Sequence, residues 1–238
     1  MLSKVRYIDI QIRRYIFLKS LIIHYHTDLK RWLSEEKKMW QNESIILSEG
    51  DKEIEQSIFS QQYGSLGRMV EQEEQQFNLS IFLMVYSYYE SVKRKMAIIV
   101  GSDQDRPLNI CEKLSDSLSQ SSTKKSEHIN SIAHPLRNLV CHNISGTNGN
   151  KISDTRNAIE ELLRMRSIEM YVVRDKNNEI DLEMSQLFNI KKDYILDVLE
   201  KEHDILVEIA SKSLFTAIEK QYFENLKKDM TDDPLLII

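Results

Sequence analysis

The sequence predicts a mainly α-helical bundle with long helices and one short β-hairpin near residues 168–184. Three observations predict it. Glycine and proline are scarce, 6 and 3 in 238 residues, which favours long helices with few turns. Long segments repeat apolar residues at helical spacing. One stretch, "IEMYVVRDKNNEIDLEM", switches to period two around turn-forming residues.

The elements follow in order. Ser3 to Asn42 is a long amphipathic helix, with Ile8, Ile12, Tyr15, Ile16, Leu18, Ile22, Leu29 and Leu33 on one side and Arg13, Arg14, Lys30 and Arg31 on the other. Gln41 to Phe77 is polar and weakly periodic. Ser48-Glu49-Gly50 reads as a break with a shorter helix after it, and "EQEEQQ" (Glu71 to Gln76) as a solvated turn of helix or a linker. Asn78 or Ser80 then caps a helix over Leu79 to Val100, closed by Gly101. Its first half is apolar on nearly every face, so it belongs at the centre of the bundle. Leu108 to Leu118 is a short helix, and "SLSQSSTKKSE" (Ser117 to Glu127) a flexible polar loop. His134-Pro135 reads as an N-cap followed by proline at the first helical position, and Gly146 to Asn150 ends that helix. Ser153 or Asp154 caps the next, to about Arg166. The hairpin pairs Ile168–Val173 with Ile180–Met184 across a turn at Asp175–Asn178. A last long helix covers about Lys191 to Lys227, and "DDPLLII" follows a helix-breaking proline. One domain over residues 1–228 accounts for this order. It has a helical part at 1–77, central helices at 78–166, and hairpin plus final helix at 167–228. An apolar tail covers 229–238.

Composition excludes some functions. A net charge of −5 argues against a large basic nucleic-acid surface, though not against a local basic site. Cys111 and Cys141 form no metal or disulfide spacing, which points to a reducing, cytoplasmic compartment. "YIFLKSLII" is interrupted by Lys19 and lacks a cleavage signature, so it does not read as a secretory signal. No run reaches the length of a membrane span. No cofactor and no metal are expected.

The stretch "HPLRNLVCHN" carries the most chemistry. Histidine exchanges a proton near neutral pH, arginine is a permanent bidentate phosphate ligand, and asparagine donates and accepts. Arg137, Asn138 and His142 are thus the parts needed to cleave RNA without a metal. A base takes the ribose 2′-OH proton, the oxygen attacks the adjacent phosphate, and a cation stabilises the phosphorane. Asn138 and His142 share a helix face. Arg137 and His142 are about 140° apart around the helix, so two copies of the helix across a two-fold axis would assemble one cleft more readily than a single chain. The proline-started helix would also put Arg137 in a first turn that attracts phosphate. The spacing alone is weak, because an arginine and a histidine so separated arise roughly once by chance in a chain like this. The bland reading is a helix end with a surface arginine and a half-buried histidine.

"LRNLVCHN" resembles the signature of the HEPN superfamily, in which an arginine, usually followed by a polar residue, precedes a histidine by four to six residues. "LMVYSYYESVKRKM" is similar to the long HEPN helix that leads from aromatic residues to a glutamate, here Glu90. The downstream helix, hairpin and final helix resemble the C-terminal part of several HEPN ribonuclease subfamilies. The resemblance spans Ser3 to about Lys228. It implies an α-helical homodimer joined through the motif helices and a metal-independent endoribonuclease of the toxin or phage-defence type, held in check by an antitoxin or other regulatory protein. It implies catalytic roles for Arg137 and His142 and support from Asn138. Glu90 would orient Arg137 or balance its charge. Cys141 departs from the pattern, since small residues are common before the histidine.

Other residues have two readings each. Glu90 pairs equally well with Arg94 at i+4. His134 fits a cap, yet it lies one turn from Arg137. Lys93, Arg94 and Lys95 form a small basic patch that would steer RNA or simply solvate a helix end. Tyr86, Tyr88 and Tyr89 would stack bases or, at that density, fill the core. Beside the nuclease stand a non-catalytic HEPN-like scaffold that binds RNA or protein, and a helical adaptor unrelated to HEPN.

Overall fold

The computed structural model describes residues 2–48, 51–99, 118–142 and 149–214. Five helices and one two-stranded antiparallel hairpin make up the described residues. None of these helices is long and apolar enough to cross a membrane. The expected Leu108–Leu118 helix, all but its last residue, the Gly101 cap, Cys111, the final helix beyond 214 and the apolar tail lie outside the described residues.

Two very long helices form the frame. α1 (Leu2–Leu47) and α2 (Lys52–Ile99) hold 46 and 48 residues, about 70 Å each, and run as a hairpin. α1 stops at the anticipated break. Asp51 caps α2, its Oδ1 accepting from the backbone N–H groups of Glu53 (2.9 Å) and Ile54 (3.2 Å).

α2 corrects the expectation of two separate helices. It passes through Asn78 without interruption, because Asn78 spends its side chain on distant partners instead of a local cap. Asn78 is 1% exposed. Its Oδ1 faces His26 Nε2 at 2.9 Å, and its Nδ2 donates to Asn189 Oδ1 at 3.0 Å. Asn189 in turn donates to Glu169 Oε2. A buried polar group costs about 1–3 kcal/mol when left unpaired, so this chain ties α1, α2 and the hairpin into one arrangement.

α3 is one rod over 120–142. It consists of Gln120–His128, a π-helical turn Ile129–Ala133, and His134–His142. This overturns two expectations. The polar stretch after Ser119 is helix, capped by Ser119 Oγ, which accepts from Ser122 N–H. The carboxylate of Glu208, far along the chain, braces the cap by accepting from Ser119 N–H (2.6 Å) and Oγ–H (2.8 Å). His134 is also not an N-cap. A proline inside a helix lacks its N–H and crowds the carbonyl one turn back. The wider π turn, in which His134 N–H reaches Ile129 O, lies directly before Pro135 and carries the helix through it.

α4 (Gly149–Arg164) begins before the anticipated Ser153 or Asp154 cap, and both residues lie inside it. Gly149 and Asn150, read from sequence as the end of the motif helix, are its first residues. β1 (Ile168–Tyr171) pairs with β2 (Gln186–Ile190), with a bulge at Glu169/Met170. The turn at Asp175–Asn178 sits where the sequence placed it, held by Asp175 Oδ1 and Asn178 at φ 63°. The second strand does not. Of the expected Ile180–Met184 strand, Ile180 bridges Arg174 and Asp181 N–H bonds Val173 O at 2.8 Å. Asp181 then turns the chain by accepting from Glu183 and Met184 N–H, which moves the paired strand to Gln186–Ile190. α5 (Lys192–Ile209) continues as a π turn through Leu214.

The core lies where these elements meet one half of the α1/α2 hairpin. Phe82, Val85, Tyr86, Tyr89 and Met96 of α2 pack among Ile8 and Ile22 of α1, Leu136 of α3, Leu162 of α4, and Val198, Leu199 and Ile205 of α5. Each such side chain contributes about 1.5–3 kcal/mol by burial. The tyrosine-rich segment is central, as its apolar faces require. Tyr86 and Tyr89 are core residues, and half-buried Tyr88 carries Arg14 over its ring at 5.0 Å.

Candidate functional site

The second half of α3 lies against the last third of α2, and this contact assembles the motif residues. Arg137 is three-quarters buried and its Nη2 lies 3.9 Å from Glu90 Oε2. Glu90 also lies 3.9 Å from Arg94, so both sequence readings of this glutamate describe contacts it makes. Arg137 Nη1 donates to Asn138 Oδ1 at 3.0 Å. That bond fixes which way the Asn138 amide faces. Its Nδ2 therefore donates to His134 Nε2 at 3.2 Å, one helical turn back. An imidazole that accepts at Nε2 carries its ring proton at Nδ1, and Nδ1 stands 2.8 Å from Tyr86 Oη. Burial, followed by the charges of Glu202 and Glu90, raises the Tyr86 pKa above the usual phenol value. Tyr86 thus serves as a fixed hydroxyl partner and not as a base.

One connected row results: Glu90, Arg137, Asn138, His134, Tyr86. The sequence pointed to the first four, Glu90 on the upstream helix and the other three in the motif stretch. It missed Tyr86 as a partner, because the contact crosses 48 positions. Asn138 turns its amide toward Arg137 and toward His134 at i−4. α3 reaches His142, whose side chain lies outside the described residues. Cys141 is exposed. Arg137 sits well inside a continuous helix, so the free backbone N–H groups expected around it are absent.

The basic patch also separates. Lys93 is buried and its Nζ binds Glu202 Oε1 at 2.8 Å, with the two side chains 5% and 1% exposed. Its charge faces the core, which corrects the expectation that all three cations steer RNA. Arg94 and Lys95 remain exposed on α2. Helix periodicity holds the signal, since Lys93 lies four positions after the buried Tyr89.

No protein-family model matches the chain, and neither the curated proteins nor the solved structures include a match.

Proposed function

We propose that the chain is a HEPN-type, metal-independent endoribonuclease that works as a homodimer, with toxin or antiviral activity. The observation that supports this reading most is the row joining Glu90, Arg137, Asn138, His134 and Tyr86 on the helix that carries the Arg-x4-His motif. In this scheme Arg137 neutralises the phosphorane, with Glu90 and Asn138 holding its guanidinium in place. His142 takes the 2′-OH proton or protonates the leaving oxygen. His134 braces Asn138 from the turn below. The about 140° between Arg137 and His142 on one helix favours a second copy of α3 opposite the first. Arg94 and Lys95 offer the RNA backbone local positive charge on an acidic protein. RNA is the substrate because the attacking group is the 2′-OH.

A second reading has its own support. Arg137 already has two partners within its own chain, and that suits a non-catalytic scaffold whose motif stabilises the helix. Incubating purified protein with single-stranded RNA in EDTA separates the two. The nuclease cuts and leaves 2′,3′-cyclic phosphate ends, and Arg137→Ala and His142→Ala each abolish cutting. Intact RNA with the wild type would favour the scaffold.

A further inference from the structure

A polar cleft lies away from the motif row. Glu74 lies on its wall and Glu90 at the motif site, about 24 Å apart along α2. The cleft has a volume of about 460 Å³ and is bounded by α1, α2, the α4–β1 turn and the start of α5. That volume suits a small molecule. Four cations, Lys30, Arg166, Lys191 and Lys192, face it against two carboxylates, Glu74 and Asp193. Glu74 faces His26 Nδ1 at 3.1 Å, and Asp193, 93% exposed, lies 4.0 Å from Lys192 Nζ. With four cations against two carboxylates, the lining carries net positive charge on a protein of net charge −5.

Arg166 is the most telling residue. α4 ends in a Schellman arrangement, with Ser167 N–H on Leu162 O at 2.9 Å and Arg166 N–H on Leu163 O at 3.0 Å. Arg166 occupies the left-handed position at φ 56°, where glycine sits without strain. An arginine there carries a backbone penalty that its side chain does not recover through an ion pair among the described residues. Lys30 likewise has none. The neighbouring strands and α1 are tied in by hydrogen bonds. Lys191 N–H bonds Ser167 O at 2.8 Å and Lys191 Nζ binds Glu169. His26 is locked by Asn78, the end of the relay that starts at Glu169. The first turn of α5 presents backbone N–H groups to the cleft, and its cap residue Lys191 makes no side-chain cap bond to them.

We propose that this cleft binds a small phosphorylated anion of pyrophosphate or nucleotide size, with Arg166, Lys30 and Lys192 as its charged ligands. The proposal does not depend on the ribonuclease reading.

The test is calorimetric titration of the full chain with inorganic pyrophosphate, a nucleoside triphosphate and the bare nucleoside, with thermal melts beside sodium chloride at matched ionic strength. Pyrophosphate is expected to bind saturably and raise the Tm beyond the salt control. Arg166→Gly should melt at or above the wild-type Tm yet bind about tenfold more weakly or worse, and Lys30→Ala/Lys192→Ala should weaken binding likewise. Arg137→Ala should bind as wild type does. A triphosphate that outbinds pyrophosphate identifies a nucleotide as the source, and equal affinity identifies the phosphates alone. Absence of saturable binding at millimolar concentration would overturn the proposal. So would undiminished binding by Arg166→Gly, or loss of binding by Arg137→Ala.

Discussion

Replacing Lys93 with methionine isolates the buried ion pair beneath the motif region. Lys93 and Glu202 are 5% and 1% exposed and 2.8 Å apart, so solvent screens little of the interaction. Among the described residues, Glu202 Oε2 has no hydrogen-bond partner and Lys93 is the cation that meets the carboxylate. Lys93→Met would leave an uncompensated charge in the core at a cost of about 3–5 kcal/mol. At roughly 2–4 °C per kcal/mol for a chain of this size, the Tm should fall by about 6–20 °C. Lys93→Met/Glu202→Leu removes both charges and should return to within about 1.5 kcal/mol of wild type, because apolar packing substitutes well for a buried pair. Urea denaturation of the four proteins in the cycle gives the coupling directly. A stable Lys93→Met that binds RNA more weakly would refute the reasoning and restore Lys93 to a surface patch.

Two further outcomes follow from buried polar groups. Asn78→Ala removes the shared partner of His26 and Asn189 and should cost about 2–4 kcal/mol, seen as a lower urea midpoint at unchanged slope, whereas a loss under about 0.5 kcal/mol would mean the relay is not formed. Burial lowers the His128 pKa, with Lys201 adding to the effect and Asp197 and Glu161 opposing it. Above the unfolded value of about 6.5 neither state holds the proton. As pH falls below it the unfolded chain takes up a proton that the folded ring resists, so stability drops from pH 7 toward 5.5. His26 shifts in the same direction, again chiefly through burial, with Glu74 opposing. Tm measured across this range should slope less in His128→Gln than in wild type, and parallel slopes would contradict the assignment.

Local rules read the frame well and the long-range partners poorly. The α1 break, the central tyrosine helix and the Asp175–Asn178 turn are all set by neighbours in sequence, and periodicity and turn chemistry revealed them. Asn78 looked like a cap because asparagine usually acts locally, whereas its partners lie 52 and 111 positions away. The serine-rich run at 120–127 looked like a loop because nothing nearby shows that Glu208 braces its cap. Pro135 suggested a helix start because a π turn leaves no compositional trace. At the motif, the sequence supplied Arg137, Asn138, His134 and Glu90. Only packing revealed that Tyr86 completes the row and that Lys93 turns inward.

The composite dimer site is tested most directly by mixing two inactive variants. Arg137→Ala and His142→Ala are each expected to leave RNA intact in EDTA. Co-refolded, they form a mixed dimer in which one chain supplies the arginine and the other the histidine, and cleavage with 2′,3′-cyclic phosphate ends should return. Wild-type cleavage with no recovery in the mixture would contradict a site shared between chains, and cleavage by either variant alone would contradict the roles given to these residues.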